Sequence, residues 1–214
     1  MSTDTRYAIV GSGNIGSALA RLFGRVGLEV RIANTRGPHT ISELAASAGP
    51  SVLPVSLAEA LTCDVIFLAI PFPAVEQFGK ELHDWTGKTI VDATNAHYAP
   101  DHAADILKGR LSSHYVADVL PGARVVKAFN QLPAQVLAAP VSSAQGRRVV
   151  FVSSDSPESS ARIAQLTETL GLSPVQLGRI GEGGRLIQVP NALVLRNLTE
   201  QPLTGVARSA SAGR

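Results

Sequence analysis

Gly11, Gly13 and Gly16, within the run Gly11-Ser-Gly-Asn-Ile-Gly16, have the spacing Gly-x-Gly-x-x-Gly that can cradle a diphosphate. In that pattern the first glycine permits a tight turn out of a strand. The second lets the backbone approach a pyrophosphate, and the third lets the next helix pack close to the sheet. Unpaired N–H groups at the helix start, aided by the helix dipole, then favour the negative charge. The setting suits a nucleotide-binding βαβ unit, because apolar Tyr7–Val10 precedes the turn and a helically spaced run over residues 15–26 follows it. The second strand, residues 29–33, ends in Asn34-Thr35-Arg36. An NAD site usually carries Asp or Glu at that place, accepting from ribose hydroxyls. An acid would repel a 2′-phosphate, whereas Thr35 and Arg36 can bind one, so the residues read as an NADP(H) site.

Alternating elements position these residues. Helices are expected over 40–48 and 57–61, the latter capped by Ser56. Strands are expected at 52–55, 65–69, 89–92, 125–129, 148–152 and 174–177. Ile70-Pro71-Phe72-Pro73 must leave the sheet, because proline cannot serve a central strand; a helix over 74–82 follows. Ser156, Pro157 and Glu158 mark the start of another helix, and Gly171 its end. A last helical segment is expected over 183–198, interrupted near Pro190. Such alternation implies an α/β fold, a Rossmann-like, doubly wound and mainly parallel sheet of about eight strands with a small helical C-terminal segment. Residues 1–178 form the expected nucleotide-binding domain. Residues 179–201 form the C-terminal segment, packing on the domain or on a partner subunit, and residues 202–214 a flexible tail.

In such sheets ligands lie beyond the carboxyl ends of the strands. That rule selects the glycine loop, Ile70 to Pro73, Ala93 to Tyr98, and Asn130 to Pro133. Ile70, Pro71 and Phe72 could support a flat nicotinamide, and Asn95 or Asn130 could hydrogen-bond its carboxamide or a substrate group. His97 and Tyr98 could form a proton-donor pair. Asp92 reads as a loop-stabilising carboxylate, and Lys127, inside a strand, as a lysine reaching the sheet edge. No Gly-x-Ser-x-Gly elbow, His-Glu-x-x-His or Walker lysine motif occurs, and the five histidines lack metal-ligand spacing. Carbonyl reduction usually needs a proton donor beside the hydride acceptor. Hydride transfer between two redox rings does not, because the cofactors carry that chemistry.

The 214 residues suffice for one substantial α/β domain, and 45% hydrophobic content fits an ordinary globular core. A net charge of +2 without a basic run gives no sign of nucleic-acid binding. The single cysteine, Cys63, rules out a disulfide within the chain and reads as a small buried residue. Neither a signal-peptide core nor a membrane-length apolar run appears, so no membrane partner and a cytoplasmic location are expected.

The runs Gly-Ser-Gly-Asn-Ile-Gly, Ala-Asn-Thr-Arg-Gly-Pro, Asp-Val-Ile-Phe-Leu-Ala-Ile-Pro, Val-Asp-Ala-Thr-Asn and Val-Val-Lys-Ala-Phe-Asn occur in that order. Together they resemble the deazaflavin (coenzyme F-420)-dependent NADP reductases and their bacterial relatives, and the reductase domains of the six-transmembrane metalloreductases. The resemblance runs from Arg6 to about Leu198. It implies a Rossmann-like domain, often a homodimer, with NADP(H) as cofactor and coenzyme F-420 or a flavin as second substrate. It adds Ser12, Asn14 and Ile15 to the diphosphate loop and assigns Thr35 and Arg36, beside Asn34, to the 2′-phosphate. Ala69, Ile70 and Pro71 match the loop below the nicotinamide, with Asn95 beside it. Ala128, Phe129 and Asn130 match the strand end near the second ring. Gly37-Pro38 departs from the pattern, standing where a second basic residue often follows the arginine, which implies weaker hold on the 2′-phosphate. The expected activity is hydride transfer between NADP(H) and a flavin- or deazaflavin-type acceptor. The alternatives are reduction of a small imine or carbonyl, with His97 or Tyr98 donating the proton, and a non-catalytic NADP(H)-binding redox sensor.

Overall fold

The computed structural model describes residues 5–140 and 146–201; the tail expected at 202–214 lies outside the described residues. Strand β1 (Tyr7–Val10) leads into α1 (Asn14–Val26) and β2 (Val30–Ala33). A 3-10 turn (Pro38–Ile41), α2 (Ser42–Ala48), β3 (Val52–Pro54), α3 (Leu57–Ala60) and β4 (Val65–Leu68) follow. Next come α4 (Val75–Gly79), β5 (Thr89–Asp92), α5 (Pro100–Leu107), α6 (Ser112–Val119), β6 (Arg124–Ala128) and α7 (Ala134–Ala138). The described chain continues through β7 (Arg147–Ser154), α8 (Pro157–Thr169) and β8 (Ser173–Gln176) to β9 (Thr199–Glu200).

The strand order is β3-β2-β1-β4-β5-β6-β7-β8, with β9 paired to β7. Pairing is parallel from β3 through β6, antiparallel between β6 and β7, and parallel again between β7 and β8. The chain winds outward in both directions from β1, so the crevice where winding reverses opens between the ends of β1 and β4. Both faces of the central strands are covered. Ile9, Ile32, Phe67 and Val126 pack with Leu19, Leu22 and Phe23 of α1 on one face. Ala8, Ile66, Leu68 and Ile90 pack with Trp85, Val116 and Leu120 on the other. Burial on both faces is why these strands read as unbroken apolar runs.

Three features depart from the sequence reading. Helices α5 and α6 occupy a stretch given no element, although Pro100 at the start of α5 and Asp101 in its first turn are helix-start signals. The helix expected over 183–198 is instead one π-helical turn, Ile180–Gly184, then turns and the paired strand β9. Gly181, Gly183 and Gly184 make this a poor helix, and the residue before Pro190 is biased away from helical angles. Lys127 does not reach the sheet edge: it is 1% exposed. It lies opposite Asp92 in the β5–β6 register, and pairing with that carboxylate lets both stay inside.

Candidate functional site

The glycine loop is built by close backbone approaches. Gly11, at φ 111°, donates its N–H to Ala33 O at 2.9 Å. A Cβ on Gly11 would lie 2.2 Å from Ala69 O and 3.2 Å from Ile70 Cγ2, and one on Gly16 would lie 1.9 Å from Gly11 O. The ends of β1, β2 and β4 thus converge on one turn, which any side chain at Gly11 or Gly16 would force apart. At Gly13 a Cβ would meet nothing within 4 Å. Gly13 is also the N-cap of α1, with no side-chain cap and no acid in the first turn. No side-chain cap thus occupies the first-turn N–H groups of Asn14, Ile15 and Gly16, and the space beside Gly13 is clear, as an anion site requires.

Asn34 ties this loop to the end of β2. Its Nδ2 donates to Ser12 Oγ and to Thr40 Oγ1, both at 3.0 Å, and its Oδ1 accepts from Arg36 N at 3.0 Å. The amide is buried and engaged within the protein, whereas Thr35 and Arg36 are exposed at the corner it holds. Asn34 is therefore a brace, and Thr35 and Arg36 are the side chains a ligand can reach.

The other end of the crevice is assembled from distant segments. Phe129 closes β6 in the left-handed region at φ 61°. Its ring is the last of an aromatic series, Tyr7, Phe23, Phe67 and Phe129, with successive centroids 5.7, 5.6 and 5.6 Å apart. Backbone strain of this kind costs about 1–3 kcal/mol and persists only where packing over-determines it. The turn delivers Asn130, which is 3% exposed. Asn130 Nδ2 donates to Asn95 Oδ1 at 3.0 Å and to Ile187 O at 2.7 Å, while Asn95 Nδ2 donates to Asn130 O at 3.1 Å. Two acceptors around one nitrogen fix the orientation of the Asn130 amide. Its Oδ1 is then a buried acceptor without a hydrogen-bond partner. Ile187 belongs to the C-terminal segment, which is further held by Leu195 N donating to Gln131 O at 2.8 Å and by Gln188 Oε1 accepting from Ser112 N at 2.8 Å.

The Asp92–Lys127 pair lies beneath this network. Lys127 Nζ is 3.1 Å from Asp92 Oδ2 and 2.5 Å from Thr94 O. Asp92 also accepts from Thr94 N, Thr94 Oγ1 and Ser113 Oγ at 3.0, 2.6 and 2.6 Å. Burial pulls the lysine below its ordinary pKa, against the opposing pull of Asp92. The pair braces the loop that carries Asn95. Ser113, Ile187 and Gln188 could not have been found from the sequence, because each acts across a long chain separation.

The remaining expected positions are spread more widely. Ile70 is half-buried and Pro71 exposed, both at the mouth of the β4 end. Phe72 turns away and packs on Tyr115, with centroids 5.6 Å apart. Ala69 meets the glycine loop through its backbone, and the Ala128 side chain is buried in the core. His97 is exposed and Tyr98 is 81% exposed; their rings lie edge-on at 6.0 Å, with no side-chain hydrogen bond among the described residues. Cys63 is buried, and burial pushes its thiol pKa up. Among the described residues no helix is long and apolar enough to cross a membrane.

An uncapped helix N-terminus at the winding reversal of a parallel sheet defines the dinucleotide-binding class of α/β folds. Residues 6–96 match the family described as NADP oxidoreductase, coenzyme F420-dependent. The solved structure of a hypothetical protein, SMa0349 from Sinorhizobium meliloti, is 41% identical, with a TM-score of 0.87 over 94% of this chain and 98% of that one. Metalloreductase STEAP3 of Rattus norvegicus is 25% identical over 191 residues, 88% of this chain and 37% of that protein. The chain thus spans little more than a third of that curated relative. A reductive aminase from Aspergillus terreus, solved with NADPH, is alike in fold at 21% identity, with a TM-score of 0.60 over 83% of this chain and 56% of that one. Residues 6–96 thus carry the domain of the coenzyme F420-dependent NADP oxidoreductase family. The residues present fit an NADP(H) cofactor: an uncapped helix start suits a diphosphate, and exposed Thr35 and Arg36 suit a 2′-phosphate.

Proposed function

We propose that this protein transfers hydride between NADP(H) and a flavin- or deazaflavin-type acceptor. The carrying observation is the chemistry of the ring end: an asparagine pair with one unmet buried acceptor and, among the described residues, no embedded acid–base couple open to the crevice. Asp92 and Lys127, each three positions before Asn95 and Asn130, are 0% and 1% exposed and pair with each other. They cannot exchange a proton with a substrate. The N–H groups of Asn14, Ile15 and Gly16 would hold the diphosphate, and Thr35 and Arg36 the 2′-phosphate. Asn130 would accept from the carboxamide, with Ile70 and Pro71 along the ring. When bound, the nicotinamide supplies or takes the hydride. The chain's own part is to hold the ring in one orientation and keep water from the face that reacts. A second copy of the chain, packed beside the C-terminal segment, would complete the acceptor cleft.

The exposed His97–Tyr98 pair supports a second reading, reduction of a small imine or carbonyl. One experiment separates the readings: titration with NADPH and NADH, then NADPH oxidation with FMN, FAD, coenzyme F-420 and a set of cyclic imines. The proposal expects turnover with a ring acceptor, unchanged in a His97→Phe/Tyr98→Phe variant. Turnover of imines alone, lost in that variant, would favour the second reading. Tight NADPH binding without consumption by any acceptor would point to a sensor. Arg36→Ala should weaken NADPH about tenfold, the low end for a charged partner because the site is exposed, and leave NADH unchanged.

A further inference from the structure

We propose that His39 is a second cation for the adenosine 2′-phosphate, so that preference for the phosphorylated nucleotide rises as pH falls. The inference rests on the NADP(H) reading above. A phosphomonoester carries about −1.5 to −2 charges near neutrality, and Arg36 supplies one positive charge. The next two residues, Gly37 and Pro38, offer no side-chain donor. The space is nonetheless filled. A Cβ built on Gly37, at φ 92°, would meet His39 Cε1 and Nδ1 at 3.3 Å. The imidazole folds back to where a side chain of residue 37 would begin, directly after Arg36.

His39 is exposed, and its ring makes no hydrogen bond or ion pair among the described residues. The turn that aims it is tightly tied. Thr40 Oγ1 donates to Gly37 O at 2.8 Å, Asn34 Nδ2 donates to Thr40 Oγ1 at 3.0 Å, and Asn34 Oδ1 accepts from Arg36 N at 3.0 Å. The same Asn34 amide holds Ser12 of the diphosphate loop. One side chain thus sets the spacing between the diphosphate site and the corner that carries Arg36 and His39.

The turn packs against α2, β2 and β3. On these elements the titratable side chains are Glu43, one helical turn beyond His39, and Arg31, which donates to Thr62 Oγ1 and Cys63 Sγ. Glu43 makes no ion pair among the described residues, and β3 carries no titratable group. Histidine is the side chain that ordinarily changes charge between pH 5 and 8.

The test is calorimetric titration of NADP+ and NAD+ at pH 6 and pH 8 into the wild-type protein, His39→Gln and His39→Lys. Comparing variants at one pH cancels the titration of the nucleotide phosphate. His39→Gln should weaken NADP+ about 3- to 5-fold at pH 6, have almost no effect at pH 8, and leave NAD+ unchanged, as suits an exposed charge pair. At pH 8, His39→Lys should bind NADP+ about 3- to 5-fold more tightly than the wild type and leave NAD+ unchanged. The proposal is overturned if His39→Gln follows the wild type at both pH values, or if it weakens NAD+ equally. A wild type without preference for NADP+ over NAD+ overturns the NADP(H) reading itself, and this inference with it.

Discussion

Replacing Asn130 by Asp changes one atom's chemistry at the point where three segments meet. Asn130 Nδ2 donates to Asn95 Oδ1 at 3.0 Å and to Ile187 O at 2.7 Å. In the carboxylate both become contacts between oxygens, and two acceptors lose their donor. Leaving a buried partner unmet costs about 1–3 kcal/mol, so the two together cost about 2–6 kcal/mol before the burial of charge is counted. For a chain of this size 1 kcal/mol moves Tm by about 2–4 °C, so Asn130→Asp should melt about 4–24 °C below the wild type at pH 7. Burial raises a carboxyl pKa above its unfolded value of about 3.9. The protonated acid can still donate to one acceptor, so stability is fullest below the unfolded pKa and is lost as pH rises through the folded one. The deficit should therefore widen between pH 4 and pH 7. Thermal melts at both pH values read the deficit, and hydrogen-exchange mass spectrometry over residues 185–201 reports whether the C-terminal segment lifts. A melting point within about 2 °C of the wild type at pH 7, or a deficit that ignores pH, would refute the two-acceptor lock.

Lys127→Met leaves Asp92 buried without its counter-charge and should cost about 3–5 kcal/mol in urea unfolding; the double variant Asp92→Asn/Lys127→Met should recover most of it, and a double no more stable than the single contradicts the pairing. Gly11→Ala puts a Cβ 2.2 Å from Ala69 O, so NADPH affinity should drop more than about tenfold as the loop shifts; unchanged affinity in a titration would mean that the loop geometry does not govern binding. The Ser173 hydroxyl, and after it Arg147, hold the Glu200 carboxyl below the usual glutamate range. Its contribution to docking β9 is therefore present above about pH 4.3 and lost as pH falls through the lowered value. Amide exchange at residues 199–201 should accelerate in that acid window in the wild type, and a Glu200→Gln variant should show no such step.

The geometry of the glycine-loop end of the crevice was legible in the sequence because its determinants are local. Gly11, Gly13 and Gly16 act through their own backbone turn, and Asn34-Thr35-Arg36 sit at the end of an adjacent strand. Short-range pattern and position suffice there. The strand series was legible for the same reason, since burial on both faces leaves a continuous apolar signature. The ring end was legible only as loops. Asn95 and Asn130 could be named as candidates from strand ends, but their mutual hydrogen bonds span 35 positions, and the bond to Ile187 spans 57. The glycines at 181, 183 and 184 argue against a helix, but no local signal says that the segment places one carbonyl on Asn130. Lys127 was misread because strand periodicity gives only a side chain's face, and the register that sets Asp92 beside it is a tertiary fact.

The two ends also differ in what fixes them, and this bears on how a cofactor would be received. The adenosine corner is exposed and held by short hydrogen bonds within about thirty residues of chain, so it can present charges without reorganising. The ring end carries stored cost: a phenylalanine at positive φ and a buried acceptor with no donor. Both costs are maintained by packing elsewhere, the phenylalanine by the aromatic series reaching α1 and the asparagine by the C-terminal segment. A ligand amide that reaches Asn130 Oδ1 recovers part of that cost, and only in one ring orientation. On the proposed reading, affinity is set mainly at the corner of Thr35 and Arg36 and orientation at the asparagine. Substitutions at Arg36 or His39 should therefore change nucleotide dissociation constants, while substitutions at Asn130 or Asn95 should change turnover and the stereochemistry of hydride transfer. Transfer of deuterium from C4-labelled NADPH to the acceptor, read by mass spectrometry, distinguishes the two. Scrambled facial selectivity in an Arg36 variant, with selectivity retained in an Asn130 variant, would reverse the assignment of roles.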